Sequence, residues 1–141
     1  MSPAEIELPR PLVNQLLHLA QSSPDAEVCG LIGALNGEPS TCYPIRNAAG
    51  NPGLRFHLEP SEHIQAMRSM RERGEELFAI FHSHPTSPAI PSITDLQEAN
   101  YPEALYLIIS LNTKGVLEIR AFRIGADNRA HELELLLKPD D

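Results

Sequence analysis

Residues 81–95 read FHSHPTSPAIPSITD, and they collect two imidazoles, a hydroxyl and a carboxylate in one short window. If LFAIFHSH is a strand, side chains two apart share a face, so His82 and His84 project together while Phe81 and Ser83 point the other way. A neutral imidazole nitrogen is a zinc ligand at about 2.0–2.1 Å. Pro85 ends the strand and leaves the pair at its C-terminal mouth. Alone, a His-x-His pair is a weak signal, because exposed or hydrogen-bonded histidines are its commoner explanation. Asp95 strengthens it. The proline-rich TSPAIP folds back and delivers the start of a short helix, with Ser92 as its N-cap and Asp95 one turn on, facing the same side. Two imidazoles and one carboxylate make three ligands and leave a fourth tetrahedral position for water, the pattern of a catalytic zinc. Such a site also needs a base. Glu27 stands at the entrance of the apolar run VCGLIGAL, where its carboxylate either points into a cleft or is simply solvated. Ser92 either only caps its helix or also serves the chemistry.

These groups must be positioned by regular elements. Leu12, Val13, Leu16, Leu17 and Ala20 recur at helical spacing and predict an amphipathic helix from about Arg10 to Gln21. VCGLIGAL reads as a strand. Asn36-Gly37 signals a tight hairpin, since both residues tolerate positive φ, and Ser40 to Ile45 is the returning strand. NAAGNPG is a loop, and Arg55 to Leu58 is a short strand candidate. Pro60-Ser61 opens a second helix, with Ser61 expected as N-cap, Gly74 as the stop, and Ile64, Met67 and Met70 along one core-facing side. After the short helix of SITDLQEAN come a buried strand, Leu105 to Leu111, and two more, Val116 to Ile124 and His131 to Leu137. The expectation is an α/β fold: one domain over residues 1–141, with a mixed β-sheet flanked by helices.

Composition narrows the function classes. The 141 residues carry 19 acidic against 11 basic side chains, a net charge of -8. That balance opposes the phosphate backbone of nucleic acid and an anionic membrane surface. The N-terminus lacks the basic start and apolar stretch of a secretory signal. Cys29 and Cys42 are too few for a disulfide framework; they flank the expected hairpin, near each other across it, as buried thiols of a reducing, cytoplasmic compartment. His18, His57, His63 and His131 are scattered and read as surface or packing residues.

His82-x-His84-Pro85, then Ser92, then Asp95, preceded by Glu27 in Glu-Val-Cys-Gly-Leu, resembles the signature of the JAMM (MPN+) metallopeptidases. The likeness runs from about Glu5 to Leu137 and includes Arg55-Phe56 through Pro60. It implies a JAMM/MPN-like, cytidine-deaminase-like fold. It implies Zn²⁺ bound by His82, His84 and Asp95, Glu27 as general base and proton donor, and Ser92 as a hydrogen-bond donor to the oxyanion. Relatives that cut ubiquitin chains carry long insertions around the site, and this chain has none. It is more similar to small bacterial members that act on ubiquitin-like sulfur-carrier proteins. Those members hydrolyse the amide at a C-terminal Gly-Gly tail, releasing an amino acid such as cysteine or trimming an extension. Two other readings accommodate the same motif: a non-catalytic scaffold of this fold, which generally lacks some ligands, and a RadC-like protein, which usually has Asn where Ser83 stands. The oligomeric state is left open, as is whether Cys29 or a neighbour's residue closes the fourth zinc position.

Overall fold

The computed structural model describes residues 5–111 and 117–138. Strand β1 (Glu5–Pro9) leads into helix α1 (Arg10–Gln21); β2 (Cys29–Leu35) and β3 (Glu38–Ile45) form a hairpin. Then come α2 (Pro60–Glu72), β4 (Glu76–His84), α3 (Ile93–Glu98), β5 (Leu105–Ser110), β6 (Glu118–Ile124) and β7 (Ala130–Lys138). The strands make one seven-stranded sheet in the order β1-β7-β6-β5-β4-β2-β3. β1 with β7 and β4 with β5 are parallel pairs, and the other neighbours are antiparallel. This is the mixed, helix-flanked sheet that the pattern predicts. Among the described residues no helix is long and apolar enough to cross a membrane.

Both faces of the central strands are covered, which is why they read as unbroken apolar runs. On one face Leu12, Leu16 and Ala20 of α1 pack with Ile32, Ala79, Phe81, Leu107 and Ile109. On the other, Ala66 and Met70 of α2 pack with Leu31, Ile80 and Tyr106. The period of two along β4 therefore sends Phe81 into the α1 core and His82 and His84 to the α2 side. Gly30 lets β2 approach its neighbours closely: a Cβ there would lie 2.3 Å from the Tyr43 carbonyl oxygen and 2.6 Å from the Phe81 ring.

Several sequence expectations need correction. β1 was not foreseen, although Glu5-Ile6-Glu7-Leu8 alternates and Leu8 is fully buried against α1; the acids and prolines around it mask a strand whose partner, β7, lies at the other end of the chain. Residues 55–58 form no strand and contribute one isolated bridge, Asn47 to Leu58. The N-cap of α2 is Glu59, whose carboxylate accepts from the Ser61 and Glu62 amides at 3.2 and 2.9 Å. Pro60 occupies the first helical position, which suits its missing N–H, so Ser61 is already inside the helix. The buried stripe of α2 carries Ala66 and Met70 with Met67 partly covered, and Ile64 falls outside it at 63% exposure. Gly74, at φ +74, stops the helix as expected, and Asn36 and Gly37 make the expected turn at φ 54 and 80. Val116 lies outside the described residues. The cysteines do not face each other. Cys29 pairs with Ile45 and Cys42 with Ile32, three positions on, so the thiols lie on opposite faces of the hairpin.

Candidate metal centre

β4 ends at His84, and its last turns of pleat bury both imidazoles, at 1% and 2% exposure. Ser83, facing the other way, accepts the Val28 N–H at 2.8 Å and donates its own N–H to the Val28 carbonyl at 3.0 Å. That pairing brings the strand entrance holding Glu27 level with the histidines. The loop after Pro85 returns over the sheet on Ala89, which is buried against Ile108 and Phe122. It starts α3 with a capping box: Ser92 Oγ accepts the Asp95 N–H at 3.0 Å, and Asp95 Oδ2 accepts the Ser92 N–H at 2.9 Å.

The box aims Asp95 at the histidines. Its Oδ2 lies 3.1 Å from His82 Nε2 and 3.1 Å from His84 Nε2, and the two Nε2 atoms are 3.1 Å apart. His84 Nδ1 sits 2.7 Å from the Pro88 carbonyl. A carbonyl only accepts, so in the neutral ring Nδ1 carries the hydrogen and Nε2 offers a lone pair to the triangle. The His82 ring stacks on Phe56, with centroids 4.4 Å apart, and its Nδ1 has no hydrogen-bond partner. Burial lowers the His82 pKa. Burial also pulls His84 down, but Asp95 and the Pro88 carbonyl outweigh it and the net shift is upward. For Asp95, burial is outweighed by both histidines and the Ser92 amide, which hold its carboxyl well below the usual range.

Three buried donor atoms at equal spacing repel one another unless a cation or proton sits among them. Tetrahedral coordination with bonds of about 2.0–2.1 Å places ligand atoms about 3.3–3.4 Å apart. The 3.1 Å edges match that closely, and nitrogen with carboxylate oxygen is a zinc donor set. The residues fit the ion.

Glu27 completes the cluster. It is 5% exposed. One carboxylate oxygen lies within 4.8 Å of the ligand nitrogens of His82 and His84, and Oε1 has no hydrogen-bond partner. Its pKa is pushed up to about 7 by burial, with His84 pulling it down and Asp95 adding to the rise. The Cys29 thiol is engaged away from the triangle: it donates to the Ile45 carbonyl at 3.3 Å, and burial, with Glu27 and Glu62, pushes its pKa up to about 12.

The structure thus brings together Glu27, His82, His84, Ser92 and Asp95. His57 and His63 line a cleft of about 300 Å³ that His82 and Asp95 border, together with Phe56 and Tyr101. The sequence expectation of surface or packing residues holds for their exposure, His57 being exposed and His63 half-buried, and does not include their place in the cleft. They sit on the loop before α2 and on its first turn, where no periodicity marks a face. An ion pair between Arg55 and Glu98 ties that loop to α3.

Residues 9–125 match the model of the prokaryotic homologs of the JAB domain. The chain is 34% identical over 93 residues to a desampylase of Haloferax volcanii, covering 64% of this chain and 67% of that protein. It is 33% identical over 116 residues to the CysO-cysteine peptidase of Mycobacterium tuberculosis, covering 80% and 78%. Among solved structures, a protein of Desulfitobacterium hafniense superposes with a TM-score of 0.83 at 32% identity, covering 95% of this chain and 93% of that one. A JAB1/MPN domain protein from Archaeoglobus fulgidus shares the fold at a TM-score of 0.61 and 17% identity, covering 93% and 99%. With a buried His-His-Asp triangle, an adjoining carboxyl and this match over most of its length, the chain belongs to the prokaryotic JAB-domain family, the JAMM type.

Proposed function

We propose that this chain is a zinc-dependent hydrolase of ubiquitin-like protein conjugates, cutting the amide bond at the C-terminal glycine of a sulfur-carrier protein. The observation that carries the reading is the 3.1 Å triangle with an unpartnered, buried carboxyl beside it. The relatives support the substrate class: a desampylase and a CysO-cysteine peptidase both act on conjugates of small proteins.

In this reading His82, His84 and Asp95 hold the zinc. When bound, the ion would supply Lewis-acid chemistry, activating water for attack and polarising the scissile carbonyl. Glu27 takes the proton of the attacking water and passes it to the departing amine, a transfer that its buried carboxyl with an unpartnered Oε1 beside the triangle is placed to make. Ser92 Oγ uses a lone pair on the Asp95 N–H, which leaves its own hydrogen to donate to the carbonyl oxygen as negative charge develops there. Capping and catalysis thus use different parts of one hydroxyl. A Gly-Gly tail has no side chains to clash with the flanking walls and pairs through its backbone.

The test is incubation of the zinc-loaded protein with carrier adducts, reading product mass, alongside Glu27→Gln. The expected products are the free carrier and the released amino acid or extension. A protein that holds no stoichiometric zinc, and whose behaviour is unchanged by Glu27→Gln, would instead be a non-catalytic scaffold of this fold.

A further inference from the structure

Glu27 precedes β2 by two residues, so no sheet ladder holds its backbone. Its carboxylate Oε1 makes no hydrogen bond. Its place in the site is therefore set through its peptide groups. The Glu27 N–H donates to the Pro52 carbonyl at 2.7 Å. The Glu27 carbonyl accepts from Asn47 Nδ2 at 3.0 Å. The same NH₂ donates to the Arg55 carbonyl at 3.0 Å and approaches the Pro52 carbonyl at 3.4 Å. On its other side Asn47 Oδ1 accepts the amides of Ala49 and His57, both at 3.0 Å. Carbonyls on one side and N–H groups on the other leave the amide a single consistent orientation.

The backbone closes the base of the loop from 47 to 58, with the Ala48 N–H donating to the His57 carbonyl at 2.8 Å and the Glu59 N–H to the Arg46 carbonyl at 3.0 Å. The Asn47 side chain braces its interior and fastens it to the peptide of Glu27. Val28, the next residue, is pinned from the opposite side by Ser83. We propose that Asn47 is a positioning residue for Glu27, holding its carboxyl over the metal triangle through the Glu27 carbonyl and the Pro52 segment. The proposal rests on the reading of Glu27 as proton carrier. Asn47 itself touches none of the three ligands in the contacts described, so its removal acts on turnover and not on zinc.

The test compares Asn47→Asp and Asn47→Ala in the zinc-loaded chain, each alone and combined with Glu27→Gln. Aspartate keeps acceptors for Ala49 and His57 but turns an oxygen toward the three carbonyls, so it breaks the tie to Glu27 and leaves the inner loop bonds. Expected for both variants is a fall in kcat of about 10–10²-fold, the range a displacement of about 1 Å produces. KM should stay within about threefold, and zinc affinity should be unchanged. In the Glu27→Gln background the same substitutions should change the residual rate less than about twofold, because the residue they act through is gone. Amide exchange should accelerate at Ala49 and His57 in Asn47→Ala but not in Asn47→Asp. Where Asn47→Ala folds poorly, Asn47→Asp carries the test. Wild-type kcat in Asn47→Asp, or losses that add fully to Glu27→Gln, would overturn the proposal while Glu27 stands. A fully active Glu27→Gln would overturn the role of Glu27 and this proposal with it.

Discussion

The zinc dependence of stability gives the sharpest test of the centre. Zinc that binds the folded chain and not the unfolded one stabilises it by about 2.7 kcal/mol at a hundredfold excess over Kd, and by about 4.1 kcal/mol at a thousandfold excess. For a chain of this length each kcal/mol moves the midpoint by about 3–4 °C. A hundredfold excess should therefore raise Tm by about 10 °C. Asp95 supplies one corner of the triangle and one bond of the capping box. Asp95→Ala should abolish the zinc response and also lower the zinc-free midpoint by the loss of a cap contact, about 1 kcal/mol. Asp95→Asn keeps an acceptor for the Ser92 N–H, so its zinc-free midpoint should stay higher than that of the alanine variant while its zinc response also falls. Glu27→Gln, outside the 3.1 Å triangle, should keep the full shift. Magnesium, which prefers six oxygens, should shift none of them. The assay is thermal unfolding in chelator and in graded zinc. A wild-type midpoint indifferent to zinc, or a full shift in Asp95→Asn, would refute the argument from the triangle.

Glu27→Gln should lose about 10²–10⁴ in kcat with one zinc still bound, read by turnover and metal content. Ser92→Ala should lower stability by about 1 kcal/mol, by chemical denaturation, and kcat by about 10²–10³, as loss of an oxyanion donor does elsewhere. Zinc affinity should fall as pH drops from 7.5 to 5.5. Burial pulls His84 down, but Asp95 and Pro88 raise it overall, so protons compete with the metal as pH falls, by about tenfold per unit for each histidine protonated; calorimetric titration at several pH values checks this. Gly30→Ala should destabilise by the upper end of about 1–3 kcal/mol, because its Cβ meets the Tyr43 carbonyl at 2.3 Å and backbone cannot move aside cheaply; the denaturation midpoint reports it.

Sequence alone determined what local rules control. The period of two placed His82 and His84 on one face, opposite Phe81 and Ser83. Ser92 foretold the N-cap of the short helix that carries Asp95, whereas the return bond from the Ser92 N–H to Asp95 Oδ2, which completes the capping box and aims the carboxylate, came from the structure. Asn36-Gly37 foretold its turn from backbone sterics, and Gly74 its helix stop. Tertiary structure decided everything that rests on distant pairing. β1 exists because β7, more than a hundred residues on, offers it a parallel edge. The cysteines separate because strand register, not nearness to the hairpin, sets which face a thiol takes. His57 and His63 join the cleft, and Asn47 holds the peptide of Glu27, because an irregular loop is folded by its own side-chain hydrogen bonds, and these leave no repeat in the sequence. The triangle itself depends on both levels: local geometry aims each donor, and only the packing of α3 and β4 sets the 3.1 Å between them.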